Sequence, residues 1–246
     1  MDKNIYETNS LVSQYCELHY GEEYFRVKNF SQNCIDSLKP YLNSLNKHKA
    51  LDLGCSVGRS SFELAYIFDS VTAIDYSTNF INTAKQLQEE KKIEYQIIIE
   101  GDIKEKKSID LSSLNLQEKS NRVEFLQGDA TNLDDSLENF DLIFCSNLID
   151  RLENPTLFLQ NVQRKLNKNG LLVILSPYTW LEEHTKKENW LGGYKYNDKK
   201  VYTLCNLKKQ LHNLTLVDRL DIEFVIKETK RKFQHTISEM SIWENI

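Results

Sequence analysis

The 246-residue sequence predicts an α/β domain on one mostly parallel sheet, and three observations carry that prediction. Short apolar runs alternate with helical patterns from residue 49 onward, glycine-containing turns sit where runs give way to helices, and two long extended runs close the chain. Such alternation implies parallel strands joined by right-handed crossovers. With 40% hydrophobic and 11% aromatic residues there is material for one substantial core, so a single domain over 1–246 is expected.

Residues 1–46 read as an N-terminal helical cap, because SLVSQYCELHY and FSQNCIDSLKPYLNSL hold apolar residues at helical spacing. A strand follows at 49–53, a helix at 59–67, a strand at 71–75 and a helix at 77–90. Residues 94–121 break the rhythm, and YQIIIEGD followed by KEKKSIDL reads as a small inserted hairpin. The core resumes with strands at 122–127, 140–145 and 171–176 and helices at 154–166 and 203–212. Runs at 215–227 and 233–243 should pair antiparallel and complete seven strands. Residues 177–200 form a long segment, rich in Trp and Tyr, that reads as an active-site loop or as a packed structural one.

The turn LDLGCSVGRSS, Leu51 to Ser61, reads as the cradle of a nucleotide-type cofactor or as the ordinary strand-turn-helix common in α/β proteins: Gly54 and Gly58 allow tight turning and close approach, and a helix begins near Arg59. A dinucleotide fingerprint requires glycine where Ser56 and Arg59 stand, and no Gly-Lys-Ser/Thr of a P-loop follows. The spacing of Asp52, Gly54 and Gly58 instead resembles motif I of the class I S-adenosylmethionine methyltransferases, with Ser56 in place of the usual middle glycine. Asp75 ends the run VTAID seventeen residues beyond Gly58, where a carboxylate can accept both ribose hydroxyls; the competing role is a helix cap, for which Ser77 is better suited.

The resemblance implies a seven-stranded Rossmann-like fold with S-adenosylmethionine as cofactor. It places Asp52, Gly54, Cys55, Gly58 and Arg59 in the cradle, Asp75 and Tyr76 at the ribose, and Asp129 and Ala130 at the adenine. Ser146 and Asn147 would lie beside the methionine moiety, with Tyr20 closing over it from the N-terminal cap.

A narrower resemblance covers nearly the whole chain. YETNSLVSQYCELHYGEEYF, DLGCSVGRSS, NLIDRL, SPYTWLEEHTKKENWLGGY and FVIKETKRKFQHTISEMSIW together look like the methyltransferase of ovothiol biosynthesis, commonly the C-terminal domain of a larger protein whose other part is a sulfoxide synthase. That family methylates the π ring nitrogen of 5-thiohistidine. The resemblance therefore implies this substrate and, for a chain standing alone, a separately encoded synthase as partner. Arg26 departs from it, since a small residue is expected there.

The implied chemistry is an in-line displacement by an unprotonated ring nitrogen, in which positioning dominates and no strong base is obligatory. Asp150, Tyr178, Glu182 and His235 are the catalytic candidates, able to hold the reactive tautomer, with Glu183 as a further carboxylate. Arg151 and Arg231 are the choices for a substrate carboxylate, which a guanidinium grips bidentately; each is equally readable as a surface residue. Tyr15, His19, Trp180 and Trp190 are candidate substrate contacts, against plain packing roles on an amphipathic helix or within a folded loop. His184, in a charged stretch, reads as solvated.

Charge narrows the partners. Thirty-one basic against 36 acidic residues give a net −5, which speaks for a small substrate and against nucleic acid or a membrane surface. With no apolar leader visible, a cytoplasmic location is expected. Five cysteines without a CxxC pair suggest neither disulfide framework nor zinc, and no metal is expected. Two alternatives stand: transfer to another small imidazole, amine or thiol, and a noncatalytic partner of a sulfoxide synthase.

Overall fold

The structure is a computed structural model that describes residues 7–246. Its centre is β1 (Lys49–Leu53), which pairs in parallel with β2 (Ser70–Asp75) on one side and β6 (Phe140–Ser146) on the other. β5 (Val123–Gln127) continues the sheet beyond β2, and β7 (Leu166–Ser176) beyond β6. β11 (Phe233–Glu244) then runs antiparallel between β7 and β10 (Thr215–Lys227), giving the order β10-β11-β7-β6-β1-β2-β5. This is the seven-stranded, mostly parallel α/β sheet that the sequence predicts. Strand order reverses between β1 and β6, and ligands of such sheets bind in the crevice beyond the carboxyl ends at that point.

The central strands are apolar on both faces because helices cover both faces. Alternate residues divide between two cores: Ala50, Leu142, Phe144 and Val173 face one side, Leu51, Leu53, Ile143 and Leu172 the other. α1 (Asn9–Tyr20), α2 (Phe30–Leu38), α3 (Arg59–Leu64) and α4 (Thr78–Glu90) belong to the first half of the chain, α5 (Pro155–Val162) and α6 (Thr203–Gln210) to the second.

Local chemistry sets the helix ends. The Thr8 hydroxyl accepts the Leu11 N–H and Gly21 stops α1; Ser77 accepts the Phe80 N–H and starts α4; Asn154 caps α5 with Pro155 in its first turn. Several predicted boundaries shift. α3 ends at Leu64 instead of 67 and α6 at Gln210 instead of 212. α5 ends at Val162 and β7 begins at Leu166, five residues early, because Asn169 (φ 63°) and Gly170 bend the strand without ending it.

β3 (Lys92–Glu100) and β4 (Ile103–Asp110) form a separate ladder around Gly101 and Asp102. A further small ladder, β8 (Tyr194–Tyr196) with β9 (Lys199–Val201), occupies part of the 177–200 segment, which the sequence left as loop. Asn197 and Asp198, both at positive φ (48° and 60°), make its two-residue turn.

Candidate functional site

The cradle is built from backbone at the ends of β1 and β2. Gly54 and Cys55 N–H groups donate to the Ile74 carbonyl (2.8 and 3.1 Å), which holds the turn against β2. The loop then passes through three left-handed residues, Gly54 (φ 75°), Ser56 (φ 51°) and Gly58 (φ 86°). A Cβ on Gly58 would lie 2.7 Å from the Phe125 ring, so glycine is required there on both grounds. Ser56 keeps the positive φ that a glycine would supply, and its N–H donates to Asp75 Oδ2 (2.8 Å).

Beneath the turn, Asp52 is buried and accepts the Ser61 hydroxyl (2.6 Å). Burial, with the Asp75 charge nearby, pushes its pKa up to about 7. Asp75 accepts Ser77 N–H on Oδ1 (2.9 Å) and Ser56 N–H on Oδ2, and burial raises it to about 6. Ser77 therefore takes the cap of α4 and leaves the Asp75 carboxylate at the strand end. Beyond β5, Asp129 Oδ1 accepts Thr131 N–H and Oγ1 (both 2.8 Å), leaving Oδ2 for a ligand. Beyond β6, Asn147 stands at φ 51° with its Oδ1 accepting the Ser238 hydroxyl (2.6 Å).

These groups share one cavity of about 610 Å³. Its wall joins Asp52, Gly54, Cys55, Ser56, Asp75, Tyr76, Asp129, Ala130, Ser146 and Asn147 to Tyr15 and His19 on α1. Arg151 and Glu183 also reach it, as does His184, which pairs with Glu183 at 3.2 Å and is not freely solvated. Wall residues that the sequence reading passed over include Phe30 and Ser31 on α2, Ser60, Phe80, Leu148, Pro177, and Phe224 and Ile226 on β10. Apolar residues in helices and strands look like core from sequence, so only the alternation of β10, with 224 and 226 on one face, hints at them.

α1 roofs this cavity. His19 is 7% exposed, and its Nδ1 is buried without a hydrogen-bond partner. Burial, with the Arg59 charge, drives its pKa down to about 3, so the ring is neutral. The Tyr15 ring lies 4.8 Å from Phe80, tilted by 43°, and Tyr20 donates from its hydroxyl to the Val57 carbonyl (2.8 Å) with Arg59 over its ring. Arg59 itself is paired with Glu63 (2.7 Å), so Tyr20, Gly58 and Arg59 support the cradle from behind without lining the cavity.

Other candidate residues lie off the wall, for identifiable reasons. Trp180 is buried in the second core, donating from Nε1 to Thr203 Oγ1 (2.9 Å), and Trp190 stacks 6.5 Å from it while donating to the Thr185 carbonyl (2.7 Å). Large aromatics with one polar atom find both burial and a partner inside this segment. Asp150 is buried behind the wall, where Oδ2 accepts Thr179 N–H and Oγ1 and Arg151 Nη1. Arg151, which does reach the wall, also donates from Nη1 to the Asp150 and Thr179 carbonyls and from Nη2 to Thr179 Oγ1 (3.0 Å). Tyr178 donates to Glu239 (2.8 Å). Glu182 is exposed, His235 is exposed beside Glu223 (3.1 Å), and Arg231 extends into solvent near Glu100 (3.8 Å). Arg26, like Phe25, has positive φ (65° and 56°).

The donor set fits S-adenosylmethionine. A strand-end carboxylate stands where ribose hydroxyls would need an acceptor, Asp129 keeps an oxygen for an amino group, and Ser56 Oγ is a buried polar atom without a partner in the cradle. Among the described residues no group of three or more His, Cys, Asp or Glu is placed to hold a metal, and no helix is long and apolar enough to cross a membrane.

Known proteins place the chain. The methyltransferase domain family matches it over residues 45–116 and 106–234. Ubiquinone biosynthesis O-methyltransferase of Rickettsia typhi is 24% identical over 140 residues, which are 57% of this chain and 45% of that protein, so the chain spans less than half of that relative's length. Among solved structures, the N-methyltransferase NodS from Bradyrhizobium japonicum WM9 with S-adenosyl-L-homocysteine has a TM-score of 0.58 at 16% identity, covering 97% of this chain and 99% of its own. Magnesium protoporphyrin IX methyltransferase (ChlM) from Synechocystis PCC 6803 with bound SAM has 0.59 at 12%, covering 98% and 94%. With fold, cradle and family match in agreement, this chain belongs to the methyltransferase domain family, has the class I methyltransferase fold, and takes S-adenosylmethionine as its cofactor.

Proposed function

We propose that the chain is an S-adenosylmethionine-dependent N-methyltransferase whose acceptor is 5-thiohistidine, methylated on the π nitrogen to give ovothiol A. The observation that carries this reading is the cavity of about 610 Å³ that runs from the cradle to two imidazoles, His19 and His184, whose pKa values are both lowered. That volume suits small molecules. The similarity of the quoted segments to the ovothiol methyltransferases supports the particular acceptor.

When bound, S-adenosylmethionine supplies an electrophilic methyl on a cationic sulfur. The chain's own residues have three tasks. Asp75, Asp129, Ser146, Asn147 and the Gly54 to Ser56 backbone hold the donor; Tyr76 flanks it. Tyr15, Phe30 and Phe80 give apolar walls on which an imidazole can lie. His19, kept neutral by burial and Arg59, offers a hydrogen bond without adding positive charge beside a cationic donor.

Engagement of Arg151 Nη1 and Nη2 by Asp150 and Thr179 favours a second reading: with that guanidinium already turned to acceptors of the chain itself, a substrate lacking a carboxylate fits as well. Incubation with S-adenosylmethionine and a panel of 5-thiohistidine, histidine, histamine and small thiols, read by mass spectrometry, separates the two. Gain of one methyl on the thiohistidine ring nitrogen is expected. Transfer only to an acceptor without a carboxylate would replace the first reading by the second. Cofactor binding with no transfer to any acceptor would leave a noncatalytic partner of a sulfoxide synthase.

A further inference from the structure

α1 is an awkward roof. One of its faces carries Tyr15 and His19 to the cavity wall, where Tyr15 meets the Phe80 ring, and the opposite face is anchored separately. Residues 15 and 19 are one helical turn apart and share the cavity face; residue 17 lies about 200° around the helix from each. Residue 17 is a glutamate, and it is 2% exposed.

Four groups from three other segments converge on it. The Tyr95 hydroxyl donates to Oε2 (2.6 Å), Lys107 Nζ to Oε1 (2.9 Å), and the Tyr24 hydroxyl also to Oε1. Lys227, at the end of β10, lies 4.0 Å from Oε1 and donates to the Tyr24 oxygen (3.0 Å). Tyr95 and Lys107 face each other across the β3–β4 ladder, so a single cross-strand pair of that hairpin delivers both donors. Burial alone would raise the pKa of Glu17, yet the hydrogen bonds from Tyr24, Tyr95 and Lys107 bring it below the usual range, so the carboxylate is charged.

A buried ion pair of this kind is a poor way to gain stability, since desolvating both charges offsets much of their attraction. It does fix one geometry, because each donor must arrive at a set direction. We infer that Glu17 is a positioning residue, through which the β3–β4 hairpin and the end of β10 hold α1 so that Tyr15 and His19 stay on the cavity wall. The hairpin thereby acquires a role, although it contributes no strand to the main sheet. The inference rests on the cradle holding S-adenosylmethionine and not on which acceptor follows.

The test uses Glu17→Gln, Tyr95→Phe and Lys107→Met in the full chain. Ser241→Ala serves as a comparison, because Ser241 is buried on β11 and bonded to the Ile174 carbonyl and Trp243, away from α1. Calorimetry with S-adenosyl-L-homocysteine should show Glu17→Gln weakening affinity about tenfold, equal to about 1.4 kcal/mol, with smaller losses for the hairpin variants. Amide exchange should accelerate over residues 9–20 in Glu17→Gln, and Ser241→Ala should change neither reading at a comparable drop in Tm. Affinity within twofold of wild type in all three variants overturns the inference, as does an equal loss in Ser241→Ala. Should Glu17→Gln not fold, the two hairpin variants carry the same test. The wild-type affinity separately tests the donor assignment, and the variant exchange pattern is readable whatever that affinity is.

Discussion

The donor half of the cavity and its roof half are made by different means. The donor half is backbone and strand ends: the turn at 54–56, carboxylates at 75 and 129, and the end of β6 at 146–147. Every one of these follows a strand whose place in the sheet fixes where its last residue lies. The roof half is side chains imported from α1, α2, the 177–200 segment and β10, each oriented by tertiary contacts of its own. A site of the first kind tolerates little change and is written in spacing; the second kind is free to vary while the fold stays intact.

The largest expected effect breaks the notion that the tryptophan segment is mainly wall. Trp180→Ala should destabilise the chain by about 3–5 kcal/mol, as for a large buried aromatic, seen in thermal unfolding. Trp180→Phe, milder, should leave the acceptor KM unchanged; a raised KM in this folded variant would return Trp180 to the substrate wall.

Next comes the donor half. Gly58→Ala combines a positive φ with a clash at Phe125, so about 1–3 kcal/mol of strain adds to about 1–3 kcal/mol of overpacking, and cofactor binding should fall with it. Asp75→Ala should retain the fold and weaken cofactor binding by roughly 10- to 100-fold, the loss of about 1.5–3 kcal/mol in charge-assisted bonds. An unchanged Kd after Asp75→Ala would place the ribose elsewhere.

The pH dependence sharpens the same half. Asp52 is raised in the fold to about 7, so the folded state binds its proton more tightly than the unfolded chain does. Its contribution is fully present below the unfolded pKa and is lost as pH rises through about 7. In the cofactor-free protein, Asp52→Asn should match wild-type Tm near pH 4 and exceed it increasingly up to pH 8. Equal Tm values across that range would mean Asp52 titrates normally. The smallest effect belongs to the exposed Arg231: Arg231→Ala should alter stability by no more than about 0.5 kcal/mol and leave acceptor KM unchanged. A clear rise in KM would show that the β10–β11 tip closes over the cavity during turnover.

The two halves were also unequally legible. Asp52, Gly54, Asp75 and Asp129 could be placed on the cavity wall from order and spacing, because a parallel sheet brings consecutive strand ends to one rim. Phe30, Ser31, Phe224 and Ile226 could not, since an apolar residue facing a cavity has the same pattern as one facing a core. Trp180, Trp190, Arg231 and His235 attracted attention by residue type, yet type does not tell a wall from a packed interior or a solvated tip.

The sequence by itself therefore determined the alternation of strands and helices, the seven-strand sheet and the cradle with its cofactor, because these depend on hydrophobic period, turn chemistry and chain order, all local properties. Tertiary structure alone decided which face of α1 looks inward, that Glu17 is gripped from behind by the β3–β4 pair, and that the tryptophans serve a core. Those outcomes depend on which distant groups arrive within hydrogen-bonding reach, and one-dimensional spacing carries no record of that.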